Sequence, residues 1–159
     1  MKYQQKIAII ILIALIILNS MLAFRATSFW ENEGDAQKNA QYGYSVASAG
    51  DVNGDGFDDV IIGAPEYSDS GKVYLYLGTD YGLSAEPSWT SIGDNQSGQG
   101  FGHSVACAGD VNGDGYSDVI IGSPNYDNIF DNQGKAYLYL GSSHGLHAEP
   151  AWESSGDNM

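Results

Sequence analysis

The stretch GDVNGDGFDDVIIGAP, Gly50–Pro65, returns further along the chain as GDVNGDGYSDVIIGSP, Gly109–Pro124. Aligned over Tyr42–Pro65 and Phe101–Pro124, 18 of 24 positions are identical. Aligned over Gly71–Trp89 and Gly134–Trp152, 13 of 19 are identical. Between these blocks the second copy is longer, with Asn125–Gln133 standing where the first has only Glu66–Ser70. A length change confined to one spot marks a surface loop. The pattern Trp-x-x-x-Gly-Asp opens at Trp30, Trp89 and Trp152, so the tail of a preceding unit comes before two whole ones. A period of about 60 residues, with several strand signals per unit, restricts the chain to a propeller or an array of stacked sheets.

Each unit reads as four short strands. In the first copy these are Tyr44–Gly50, which alternates small and apolar residues; Asp59–Ala64, a short apolar run suited to burial on both faces; Lys72–Gly78, β-branched and aromatic; and Ser88–Ile92, with polar residues between Trp and Ile. Clusters of Gly, Asp and Asn punctuate the gaps. Twenty-one glycines and only four prolines fit an ordered β protein with many turns. Beyond the N-terminus no segment shows a helical period.

The chain opens with MKYQQKIAIIILIALIILNSMLAF, which begins polar and basic and continues in an unbroken apolar run from Ile7 to Leu18. As a helix that run is about 18 Å long, short of a bilayer core of about 30 Å. Residues 1–26 are therefore read as a signal peptide or a signal anchor, and the remainder as exported: secreted, periplasmic or at the cell surface. Charge agrees with export. Lys2, Lys6 and Arg25 lie in this segment, and every acidic residue follows Trp30, leaving 20 acidic residues against three basic ones. Such a surface repels nucleic acid and attracts cations. Cys107 is the sole cysteine, so no internal disulfide forms.

The duplicated loop carries the chemistry. Side-chain oxygens stand at positions 1, 3, 5 and 9: Asp51, Asn53, Asp55 and Asp59 in one copy, Asp110, Asn112, Asp114 and Asp118 in the other. Gly56 and Gly115 at position 6 permit a sharp turn, which brings the carbonyl of Phe57 or Tyr116 inward. Ca²⁺ takes six to eight oxygens at about 2.3–2.6 Å, and four side chains, one carbonyl and water supply them. Asn-Gly and Asp-Gly also form plain hairpin turns. A turn, however, needs no fixed carboxylate after it, whereas position 9 recurs while position 8 varies (Asp58 against Ser117). Packed carboxylates repel one another without a cation. Position 12 is Ile62 or Ile121 rather than Glu, and the flanks read as strands, so this is not an EF-hand. About two calcium ions are expected.

These residues resemble the FG-GAP repeat of integrin α-subunit β-propellers. Phe101-Gly102 and Gly122-Ser123-Pro124 stand at the two motif positions, as do Tyr42-Gly43 and Gly63-Ala64-Pro65. The resemblance runs over about residues 28–158, and the tail GLSAEPSWTSIGD is similar to microbial members rather than animal ones. It implies an all-β fold: two FG-GAP propeller blades of four-stranded antiparallel sheet, an incomplete propeller, preceded by an N-terminal hydrophobic helix. The expected layout is 1–26 signal or anchor, 27–41 tail strand of a partial repeat, 42–100 first repeat and 101–159 second repeat. A propeller closes with about four to eight blades, so the chain is expected to be a fragment of a longer one. Two blades share one interface, which leaves two apolar faces and the outer edges open to self-association.

The resemblance implies a secreted or surface calcium-binding module for adhesion or recognition of an extracellular protein or carbohydrate, touching a membrane only through its N-terminus. The competing reading is the non-catalytic propeller of a larger secreted hydrolase or lyase. No enzyme activity of the chain itself is expected. His103, His144 and His147 replace Tyr44, Tyr81 and Ser84, so no histidine recurs. His144 with His147 could ligate a transition metal, and Ser104 with His103 could belong to a hydrolase triad; neither has support from the repeat. Cys107 aligns with Ser48 and reads as a buried small residue rather than a nucleophile. Trp30, Trp89 and Trp152 share one blade position, which favours packing over a carbohydrate platform.

Overall fold

A computed structural model describes residues 30–94, 96–127 and 132–156. The expected N-terminal helix lies outside these residues. The chain divides into two units, Met1–Glu31 and Asn32–Met159, and the second is built from the duplicated sequence. Its strands are β1 (Ser45–Gly50), β2 (Asp59–Ala64), β3 (Lys72–Tyr76), β4 (Gly78–Thr79), β5 (Gly82–Leu83), β6 (Trp89–Ile92), β7 (Ser104–Gly109), β8 (Asp118–Ser123), β9 (Lys135–Tyr139) and β10 (Trp152–Ser155). They form two four-stranded sheets in the orders β1-β2-β3-β6 and β7-β8-β9-β10, with β4 and β5 as a small hairpin. All neighbours are antiparallel, and the registers of the two sheets match residue for residue. These are the two propeller blades that the repeat predicts.

Strand alternation assigns each side chain to one of two faces. In blade 1, Ala47, Ile61, Leu75 and Trp89 are cross-strand partners and share a face. In blade 2, Val105, Ile121 and Tyr137 share the opposite kind of face, together with Val119 and Tyr139. These two faces meet and make the core, whose buried members include Ala49, Val52, Ile61, Val73, Leu75, Phe101, Val119, Ile121, Tyr137 and Tyr139. Aromatic edges close the seam: Trp89 on Tyr139 and Phe101 on Tyr137, both near-perpendicular, at 4.9 and 5.1 Å. The Gly of the first GAP motif is required here. A β-carbon on Gly63 would stand 2.1 Å from the Gly102 carbonyl oxygen, which also accepts a 2.7 Å bond from Ser45 Oγ.

The Asp of Trp-x-x-x-Gly-Asp is a clasp between successive units. Asp94 accepts from Lys135 Nζ at 2.8 Å and from Tyr137 Oη at 2.9 Å, reaching from the end of blade 1 onto blade 2. Asp35 takes the equivalent place, accepting from Lys72 and Tyr74. The Lys72 hydrogen bond holds the Asp35 carboxyl below its ordinary value against the opposing effect of burial. With Tyr42 edge-on to Tyr74 and bonded to Tyr76, the residues after Asn32 lie on the leading face of blade 1. Repeat logic leaves that face open, yet Tyr74 and Tyr76 are buried, while Tyr44, Val46 and Ile92 on the same face remain exposed. The trailing face of blade 2 is open, as expected. β2 is buried almost throughout, but in β8 Ile120 is 38% exposed, and Trp152 on β10 is 50% exposed.

One side chain sits badly. Gln99 is fully buried, and neither its amide nitrogen nor its amide oxygen has a partner. Its counterpart in the first copy is Ala40. A buried polar group without a hydrogen bond costs about 1–3 kcal/mol. Gln99→Met, of similar length and without those groups, is expected to stabilise the chain by about 1 kcal/mol in urea denaturation. A loss of stability instead would show that the amide is satisfied in solution.

Candidate metal centre

Each candidate loop joins the first two strands of its blade. β1 ends in a bulge at Gly50, the chain turns through Asp51–Asp58, and β2 begins at Asp59. Gly56 and Gly115, the predicted position 6, have φ of +90° and +94°, a region that residues with a β-carbon rarely adopt. The turn expected from the sequence is present in both copies.

The loop oxygens gather backbone amides. Asp51 accepts from the N–H groups of Gly54 (2.7 Å), Asp55 (3.1 Å) and Gly56 (2.8 Å). Asn53 Oδ1 accepts from Asp55 N–H, and Asp55 accepts from Phe57 N–H and from the Asn53 amide. Asp110, Asn112 and Asp114 repeat the pattern bond for bond with Gly113, Gly115 and Tyr116. Positions 1, 3 and 5 are thus drawn together around one turn.

Position 9 does a different task, which the spacing alone does not disclose. Asp59 and Asp118 are fully buried. Asp59 accepts from Val52 N–H at 2.9 Å and Gly78 N–H at 2.8 Å, one bond per oxygen; Asp118 does the same with Val111 and Gly141 at 2.8 and 2.9 Å. The residue ties the loop to the end of the third strand. Burial pushes the Asp59 carboxyl above its ordinary value; the Gly78 and Val52 amides pull it back, and nearby Asp55 and Asp51 push it up again.

Among the described residues no three Asp, Glu, His or Cys side chains converge as a finished metal cage. The donor set nevertheless suits a hard cation. It is all oxygen, three of its members are carboxylates, and each carboxylate oxygen of Asp59 keeps a lone pair free after its single amide bond. The ion pairs of the described residues involve only Asp35, Asp94 and Glu153, so no lysine or arginine neutralises the loops there.

The other sequence candidates separate. His103 bonds Tyr44 Oη through Nε2 at 3.1 Å, with the rings 4.8 Å apart. His144 bonds its neighbour Ser143, while the His147 carbonyl accepts from Trp89 Nε1. Trp89 packs in the seam. Cys107, expected to be buried, is instead exposed on β7, where its sulfur accepts from Gly109 N–H across the bulge that ends the strand. Local pattern does not anticipate the clasp of Asp94, Lys135 and Tyr137, although the recurring Gly-Asp after each Trp is its signal.

Two stacked four-stranded blades with an Asp-rich turn at the same corner of each define a β-propeller repeat protein. The FG-GAP repeat profile matches residues 42–76 and 101–139, and the chain belongs to that family. It is 36% identical over 131 residues to integrin alpha-6 of Gallus gallus, covering 77% of this chain and 11% of that protein. It is 38% identical over 133 residues to integrin alpha-8 of Mus musculus (78% and 12%), and 41% over 122 residues to integrin alpha-PS2 of Drosophila melanogaster (69% and 8%). The chain therefore matches about a tenth of the length of these relatives.

Proposed function

We propose that this chain is an exported, calcium-binding module for adhesion or extracellular recognition, working as part of a propeller. The kinship with integrin α-subunits supports the recognition role. The apolar start supports export, and among the described residues no helix is long and apolar enough to cross a membrane. The calcium reading is carried by one observation: the same turn, built twice, gathers carboxylates that have no basic partner among the described residues. Asp51, Asn53, Asp55, Asp59 and the Phe57 carbonyl would hold one ion; Asp110, Asn112, Asp114, Asp118 and the Tyr116 carbonyl would hold the second. Bound there, the ion supplies charge neutralisation, not chemistry. The loops then become rigid corners from which the blades present their surfaces.

Isothermal titration of the full chain with CaCl₂ is expected to show two sites with dissociation constants on the order of 10⁻⁴–10⁻³ M, the range of extracellular modules. Asp55→Ala and Asp114→Ala together are expected to abolish uptake. No heat from the unsubstituted chain, or undiminished heat from the double variant, rejects the reading.

A further inference from the structure

The two loops touch one another. Ser117 N–H, in the second loop, donates to the Asp51 carbonyl of the first at 2.9 Å. The Tyr116 ring lies on Gly54 so closely that a β-carbon there would stand 2.7 Å from its Cε1. One peptide group serves both loops: its carbonyl is the position 7 oxygen of the second, and its N–H is the donor to position 1 of the first. Ser142 N–H adds a third brace, donating to the Val52 carbonyl at 3.1 Å. Val52 is accordingly fully buried, whereas Val111, the same position in the second loop, is 52% exposed. Identical ligand residues thus stand in unequal settings, the first loop braced by the following blade and the second open.

We propose that Tyr116 and Ser117 are positioning residues for the first loop, and that the two cation sites are thereby coupled. This rests on the calcium reading above. A peptide group is planar, so fixing its carbonyl also fixes the direction of its N–H. When the Tyr116 carbonyl is held, Ser117 N–H is held on Asp51, and Tyr116 is held on Gly54. The first loop then has less conformational freedom left to lose. Linkage makes the effect reciprocal, so an ordered first loop favours the second by the same factor.

The test is calcium titration of the full chain followed by amide NMR, with Gly54 and Gly56 reporting the first loop and Gly113 and Gly115 the second. Asp114→Ala is expected to raise the first loop's dissociation constant about fivefold or more, and Asp55→Ala to raise the second loop's by a matching factor. Tyr116→Ala keeps every ligand oxygen of the second loop, and is expected to weaken the first loop more than the second. Should Asp114→Ala unfold, Asp114→Asn retains an acceptor for Tyr116 N–H and carries the same expectation. A first-loop constant within about twofold of the unsubstituted value in the Asp114 variant overturns the coupling and leaves the calcium reading standing. No uptake at either loop of the unsubstituted chain removes both.

Discussion

Ile61→Ala is expected to destabilise the chain by about 2–5 kcal/mol, and Ile120→Ala by about 1 kcal/mol or less. The two isoleucines hold the same place in their Asp-Val-Ile-Ile-Gly strands and pair with equivalent leucines, Leu75 and Leu138. Only the next layer differs. Ile61 is sealed by blade 2 and wholly buried, so truncating it leaves a cavity between the sheets. Ile120 is 38% exposed on the trailing face, and water already reaches it. Urea denaturation of the two variants measures the difference. Equal losses would mean that the trailing face is covered in solution, for instance by another copy of the chain.

Asp59→Ala is expected to cost about 2–5 kcal/mol in the presence of chelator, where no cation contributes. Two buried N–H groups, Val52 and Gly78, lose their acceptor, at about 1–3 kcal/mol each. Asp118→Ala is expected to cost less, because Val111 is half exposed and its N–H can bond water. Denaturation curves in chelator with each variant decide it. A loss below about 1 kcal/mol for Asp59→Ala would mean that these amides find other partners. The expectation bears on how the calcium site is probed. Loss of calcium uptake in an Asp59 variant reports the collapse of the loop as readily as the loss of a ligand. Asp55 and Asp114, which are exposed and make only local bonds, are therefore the residues to substitute.

The strands are legible in short β-branched and aromatic runs between Gly and Asp clusters, because alternation and turn chemistry are local properties. The positive-φ turn at Gly56 and the gathering of Asp51, Asn53 and Asp55 are likewise contained within one loop. Other features depend on distant partners. Lys72–Gly78 reads as one strand, yet β3 ends at Tyr76, because Gly78 N–H leaves the ladder for the Asp59 carboxylate 19 residues away. The Asp94 clasp is invisible to any local pattern because its partners, Lys135 and Tyr137, lie 41 and 43 residues further along the chain.

Residue order alone sets the repeat, the four-strand unit, the Asp-rich turn and, through Phe-Gly and Gly-Ala-Pro, the family. All of these lie within one unit, where covalent connection and backbone geometry dictate what is near what. What distinguishes two nearly identical units comes from the tertiary structure instead. Val52 is buried and Val111 is not; Ile61 is core and Ile120 is surface; Asp51 receives the Ser117 amide of the loop that copies it. The physical reason is that burial and hydrogen-bond partners belong to stacking order. A blade's faces are completed by its neighbours, and the first of two equal blades has a successor while the trailing face of the second stands open.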